Sequence, residues 1–415
     1  MLMVKFRGGI QLGKIVFIHA ADLHLDSPFA GLKNVPSFIK DRLRESSFQS
    51  FQRIVDIAIF RQVDFVLLAG DIYDSENRSL RTQIRFRKEL ERLGEAGIQV
   101  YMIHGNHDHL DGSWITVNLP ENVHIFQAIP EVKRFRKEGG TAVNIYGYSY
   151  PRRHVTERII SRYEKRPDAE YHIGLLHGNL EGHTEHSPYA PFSKSELAEK
   201  EFDYWALGHV HKRQVISVDP PAVYPGNIQG RNRKETGDKG CYMVTLDNGA
   251  ANYEFLETST VLFDSIMIKP EAESGFDKVY TDCRRSMEEF HMDKKSFLLE
   301  IVLDLEKHSS PSIFTDEFIW GILESLQEEA ETGEGFAWPY RIKVENGWRK
   351  DMDGVMENPF LNELLSLETD SNGVNGALEQ LYKHREARKF LAPLEDEETK
   401  ELLSESQRLI LQLFH

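Results

Sequence analysis

The stretch "IQVYMIHGNHDH", Ile98 to His109, decides the fold. Its first half is a short apolar run of strand type, and its second half is a loop in which an asparagine, an aspartate and three histidines follow within seven positions. Such polar groups at the end of a buried strand must be compensated by a metal or by hydrogen bonds. Two upstream stretches repeat the pattern: "KIVFIHA" runs into Asp22 and His24, and "VDFVLLAGD" ends on Asp71. Between these runs, residues 38 to 61 and 82 to 96 carry apolar residues at helical spacing. Helices alternating with short buried strands predict an α/β layered fold.

Further strand candidates follow at "AVNIYGYSY", "YHIGLLHG", "DYWALGH", "AVYPGNI" and "GCYMVTL". Polar residues again stand where the apolar runs stop: His177, then His209 and His211. Ligands in α/β sheets gather at the carboxyl ends of strands, so groups far apart in sequence are expected to converge.

Near residue 260 the pattern changes. "DSIMIKP", "GFDKVYTDCRRSMEEF", "SFLLEIVLDL", "TDEFIWGILESLQEEAE" and "AWPYRIKVE" predict a β-α-β-α-β unit. Beyond it, "FLNELLSL", "GALEQLYKHREARKFL" and "ETKELLSESQRLILQLF" have helical spacing. The expected organisation is a catalytic domain over 1–260, a small α/β cap over 261–345 and a helical tail over 346–415 that docks on a partner or on the parent chain.

With 415 residues, 40% of them hydrophobic and 28% charged, the chain is expected to be a globular protein of two or three domains. Two cysteines, Cys241 and Cys283, exclude a disulfide framework and suit a reducing compartment. Nothing approaches the roughly 18 apolar residues of a membrane helix, and the start "MLMVKFRGGIQLGK" has no signal-peptide pattern, so a cytoplasmic location is expected. The net charge of −16 is unevenly placed: residues 1–260 hold 33 basic and 33 acidic side chains, whereas 261–415 hold 17 and 33. Basic stretches at 78–88, 133–137, 151–153, 211–213 and 231–234 are expected nearer the site than the acidic part.

Taken in order, "DLHLD", "GDIYD", "GNHD", a strand-final "HG" and "GHVH" form a highly specific set. Two Asp, four His and one Asn give seven oxygen and nitrogen donors, too many for one tetrahedral zinc and suited to two cations sharing a carboxylate. Without a thiolate Mn²⁺ is favoured, with Fe²⁺, Zn²⁺ or Mg²⁺ as alternatives.

The motif set resembles the calcineurin-like metallophosphoesterases over roughly residues 1–250. The resemblance implies a layered β-sandwich flanked by helices. It also implies that Asp22, His24 and His211 hold one cation and Asn106, His177 and His209 the other, with Asp71 between them. Hydroxide generated between the two cations would attack a phosphodiester. His107 is implied as the acid for the departing oxygen, Asp74 as its hydrogen-bond partner and Asp108 as a brace. Arg231 and Arg233, in "YPGNIQGRNRKE", are candidate phosphate contacts. His19, His104, His109, His183 and His186 are read as structural or loop residues.

"HAADLHLDSP" and "YPGNIQGR" are similar to the SbcD-like DNA-repair exonuclease branch, and to its YhaO-type subgroup. That implies DNA as substrate and a coiled-coil, SMC-like ATPase as partner, with a second copy of the chain as a further candidate and no membrane partner. The alternatives are a phosphatase or phosphodiesterase for a small phosphate ester, and a non-catalytic metal-binding scaffold.

Overall fold

The computed structural model describes residues 13–27, 32, 35–74, 78–112, 115, 117–182, 189–290, 295–310, 313–330, 333 and 335–346, and, in the tail, 371–384, 394, 398–400, 402–403 and 406. Two six-stranded sheets form the centre of the first part. One takes strands β1 (Ile15–Ala20), β2 (Phe65–Ala69), β3 (Gln99–Ile103), β4 (Val123–Ile125), β11 (Gly240–Asp247) and β12 (Ala250–Glu257), in the order β12-β11-β1-β2-β3-β4. The other takes β5 (Glu131–Arg136), β6 (Ala142–Gly147), β7 (Tyr171–His177), β8 (Tyr204–Gly208), β9 (Gln214–Val218) and β10 (Pro221–Tyr224), in the order β5-β6-β7-β8-β10-β9.

Strands β1 to β4 run parallel, as do β6, β7, β8 and β10, while β5, β9, β11 and β12 pair antiparallel at or near the edges. Parallel strands buried on both faces explain why β2 reads as an uninterrupted apolar run. Phe65 and Leu67 face the other sheet and pack with Tyr101, Ile145, Tyr171 and Leu175. Val66 and Leu68 face outward, against Phe51, Ile54 and Val55 of α1 (Ser37–Phe60) and Phe86 and Leu90 of α2 (Leu80–Glu95). On the far side of the second sheet, Trp205, Tyr146 and Phe192 pack with Leu197 of α3 (Lys194–Glu199). The layers are thus helix, sheet, sheet, helix, as the resemblance to the metallophosphoesterases implies.

The chain divides into two compact units, Met1–Asp264 with Glu288–Leu299 and Ala330–Tyr340, and Ser265–Met287 with Glu300–Glu329 and Arg341–His415. A third sheet has the order β13 (Val261–Ile268), β14 (Ser296–Asp304), β15 (Ala337–Glu345). In the first unit Val261, Phe263, Leu298, Phe336 and Trp338 pack on Val35, Ile39 and Leu43. In the second unit α4 (Phe276–Glu288) buries Val279, Cys283 and Met287, and α5 (Asp316–Glu329) buries Ile322, Leu323 and Leu326, each set at helical spacing. In the tail, α6 (Ser371–Ala377) and α7 (Glu379–Lys383) are described. "FLNELLSL" and most of the last predicted helix lie outside the described residues.

The basic stretch at 133–137 runs from mid-strand to the end of the sandwich opposite the strand-end motifs. Arg136 pairs with Ala142, the first residue of β6, and Lys137 reaches Lys14 O at 2.9 Å and Asp64, both just before strands β1 and β2. Strand β5 runs antiparallel to its neighbour, which carries Arg136 and Lys137 away from the site.

Candidate metal centre

The parallel strands deliver every predicted donor to one rim. Asp22 and His24 follow β1, Asp71 follows β2, Asn106 follows β3, His177 ends β7, and His209 and His211 follow β8. The chain leaves β1, β2 and β8 with positive φ at Asp22, His24, Asp71 and His209. Backbone bonds lock these exits together: Asp22 N–H donates to Gly70 O at 3.1 Å and His24 N–H to Asp71 O at 3.0 Å. Side chains then clamp backbone, His209 N–H donating to Asp22 Oδ1 at 3.0 Å and His107 N–H to Asp71 Oδ1 at 2.9 Å.

Two glycines are dictated by this crowding. A Cβ on Gly70 would run into the His177 ring, and one on Gly105 would run into both the Asp71 carboxylate and the His177 ring.

All seven predicted donors form one buried or half-buried chain of contacts. His24 Nε2 lies 3.1 Å from His211 Nε2 and 3.8 Å from Asp71 Oδ2. His177 Nε2 lies 3.4 Å from Asp71 Oδ2 and 3.0 Å from Asn106 Oδ1, and His209 Nδ1 lies 3.1 Å from that same oxygen. Asp22, His24 and His211, and Asp22, Asp71 and His177, present ligand atoms within 4.8 Å of one another.

His177 Nδ1 donates to Ala69 O at 2.9 Å, so Nε2 of the neutral ring turns a lone pair toward two acceptor oxygens. His211 Nδ1 faces Glu235 Oε1 at 2.7 Å, which likewise leaves its Nε2 lone pair pointing at the His24 ring. Lone pairs facing lone pairs require a proton or a cation between them, so the donor set fits divalent metal. The charge balance agrees. Burial pushes the Asp22 carboxyl up to about 6. Burial opposes charge on His177 as well, yet the Asp71 carboxylate outweighs it and lifts that ring to about 9. Two buried carboxylates thus draw positive charge into the cluster, a demand that cations meet.

His107 stands beside this chain with its side chain 27% exposed, and Asp74 Oδ1 accepts from its Nδ1 at 2.9 Å. Burial opposes protonation of His107, and the Asp74 hydrogen bond with the Asp71 charge outweighs it, so its pKa is raised. The His107 hydrogen bond in turn draws the Asp74 carboxyl down to about 2. His24, Asp74 and His107 also come within ligand distance of one another. Ser27 Oγ donates to Asp74 Oδ2 at 2.9 Å.

Asp108 is buried and braces backbone, accepting from Gly105 N–H at 2.7 Å and Ile72 N–H at 2.9 Å. Arg231 reaches the site, its guanidinium 3.5 Å from Asp74 Oδ2 and donating to Ser27 Oγ at 3.0 Å, while Arg233 is half-buried on the same loop. His19 is fully buried between Tyr204 and Leu207, as a structural reading predicts. His104 Nδ1 sits 3.1 Å from Asp108 Oδ2, off line for a hydrogen bond. His109 is half-buried, and His183 and His186 lie outside the described residues.

Sequence reading missed Ser27 and Glu235. Glu235 stands 24 residues after His211 in a stretch that reads as a basic turn, and no periodicity marks it.

A family model described as calcineurin-like phosphoesterase matches residues 15–213. The chain is 41% identical over 409 residues to the uncharacterized metallophosphoesterase YhaO of Bacillus subtilis (strain 168), covering 96% of this chain and 98% of that one. It is 25% identical over 267 residues to the DNA double-strand break repair protein Mre11 of Methanopyrus kandleri, covering 58% of this chain and 56% of that one. The protein of that name from Sulfurisphaera tokodaii is 28% identical over 215 residues, with 50% and 52% covered. These matches span little more than half of either Mre11 protein. Among the described residues no helix is long and apolar enough to cross a membrane. With the likeness to YhaO extending over almost the whole of both sequences, the chain belongs to the calcineurin-like metallophosphoesterases.

Proposed function

We propose that this metallophosphoesterase hydrolyses DNA phosphodiester bonds at a two-cation centre, with His107 as the acid. Asp22, His24 and His211 would hold one cation and Asn106, His177 and His209 the other, with Asp71 between them. When bound, the cations supply Lewis acidity to the phosphate oxygens and lower the pKa of water.

The observation that carries the reading is the separate footing of His107. Its Nδ1 is held by Asp74 at 2.9 Å, and its half-exposed ring abuts the edge of His24 at 5.1 Å between centroids. A carboxylate on Nδ1 fixes the proton there, so Nε2 of the imidazolium is the atom that releases a proton to a departing alkoxide. Asp74 keeps the ring charged and aimed. Arg231, tied to Asp74 and Ser27, places a second positive charge beside the same face.

DNA as the substrate is supported by the Mre11 likenesses and by the motifs flanking the site. The division into catalytic domain, cap and tail, the SMC-like ATPase partner, a second copy as partner, the cytoplasmic location and the preference for Mn²⁺ belong to the same proposal. Against a long nucleic-acid track stands the acidic excess of residues 261–415, which favours a small phosphate ester as the second reading.

End-labelled single- and double-stranded DNA incubated with Mn²⁺ separates the two. Cleavage by the wild type is expected, with His107→Ala lower by about 10² to 10⁴ in rate at unchanged metal content. A wild type that leaves DNA intact, with or without an added ATPase partner, but cleaves a chromogenic diester would leave the small-ester reading standing alone.

A further inference from the structure

Three separate groups converge on the Glu235 carboxylate. Oε1 accepts from His211 Nδ1 at 2.7 Å. Oε2 accepts from Asn227 Nδ2 at 2.7 Å and from the Arg231 N–H at 2.7 Å. The residue is largely buried, with its side chain 11% exposed. Its loop is fixed by Glu235 N–H donating to Asn232 O at 3.1 Å and Gly237 N–H to Phe263 O at 3.2 Å.

We infer that Glu235 is the positioning residue of the first cation site: it fixes the His211 tautomer and aims Nε2 at the position shared with Asp22 and His24. An ionised carboxylate can only accept, so the His211 proton must be on Nδ1, and Nε2 is left with its lone pair. The Arg231 guanidinium also approaches Nδ1, at 3.4 Å. At that distance beside a 2.7 Å carboxylate contact it acts as a charged neighbour, because a donor cannot bond a nitrogen that already carries a proton. The same loop therefore serves both halves of the chemistry, with Glu235 holding a ligand and Arg231 bracing the partner of His107. Asn227 and the Arg231 N–H occupy the second oxygen and keep the carboxylate from rotating away. A carboxylate behind a ligating imidazole also raises the basicity of the ring.

The inference rests on the proposed cation site and not on the identity of the substrate, so its test is a titration of the full chain with Mn²⁺ alone, following free ion by electron paramagnetic resonance. Wild type is expected to bind two ions. Glu235→Ala is expected to weaken one of them by about 10- to 100-fold and leave the other unchanged. Glu235→Gln, which matches the size of the side chain, serves if the alanine variant does not fold. Its amide oxygen can accept from His211 Nδ1, but its amide nitrogen opposes the two N–H donors on the other side, so a smaller weakening of the same ion is expected. Two ions bound with wild-type affinity in a folded variant, even one with a lowered melting temperature, would reduce Glu235 to a brace for its loop and overturn the inference. A wild type that binds no Mn²⁺ would overturn it together with the metal reading, whereas a wild type that binds two ions but cuts no DNA leaves it intact.

Discussion

Asp74 and Glu235 do the same thing to two histidines and obtain different chemistry. Each holds an Nδ1 proton, at 2.9 Å on His107 and 2.7 Å on His211. What differs is the setting of each ring, since His211 Nε2 lies 3.1 Å from His24 Nε2 while the His107 ring meets the His24 ring at 5.1 Å between centroids. Asp74→Asn is therefore expected to lower turnover by about 10- to 100-fold while elemental analysis still finds two metals per chain. Loss of a metal would instead make Asp74 part of the cation site. His19 carries a prediction of another kind. Buried and neutral, it has its pKa pushed down by burial to about 3 from an ordinary 6.5. Between those values the unfolded chain binds a proton that the folded chain refuses, so stability present above 6.5 is lost as pH falls toward 3. Urea unfolding at about pH 7.5 and about pH 5 should show a smaller pH difference for His19→Gln than for wild type. An equal difference in the two proteins would mean that His19 does not contribute to acid lability. At this scale Asp22, His24, Asp71, Asn106 and His177 were legible because each follows or ends a readable apolar run. Glu235 was not, because a contact across 24 residues leaves no pattern in a single sequence.

Elements were legible in proportion to how completely they are buried. Strands β1, β2, β3, β7 and β8 are almost wholly apolar because both faces are covered, and both long helices carry their stripes. The strands that escaped reading lie at or near edges or are short: "VHI" is three residues long, and "EVKRFR" alternates charge with apolar residues. An edge strand with one solvated face has no continuous run to read. The close approach of strand ends was equally hidden, and it yields a test. Gly105 lies where a side chain would enter the space held by the Asp71 carboxylate and the His177 ring. Gly105→Ala is expected to displace both and weaken Mn²⁺ binding by at least about tenfold, measured by calorimetric titration. Unchanged affinity would mean that the loop after β3 can shift without disturbing the donors.

For the whole molecule, the balance of charge sets what the protein can hold. Several basic side chains that composition alone would assign to phosphate contact are already engaged: Arg85 with Glu45 at 2.6 Å, Arg92 with Asp56 at 2.6 Å, Arg134 with Asp168 at 2.9 Å and Arg152 with Glu157 at 2.7 Å. Such exposed pairs are individually weak, but in each the carboxylate offsets one positive charge locally. The sequence made the neutrality of residues 1–260 plain, and it could not say which cations were paired, since pairing depends on which helices and strands meet. If DNA is the substrate, it is gripped at the cation centre and by few residues beyond it. Each phosphate neutralised contributes about −0.9 to the slope of log affinity against log salt on duplex DNA. Binding of a duplex by the full chain with an inactivating His107→Ala substitution is therefore expected to show a shallow slope, of magnitude about 3 or less, measured by fluorescence anisotropy across a salt series. A slope of about −6 or steeper would mean that the ion pairs open to meet the phosphate backbone, and that the acidic excess of residues 261–415 stands clear of the bound strand.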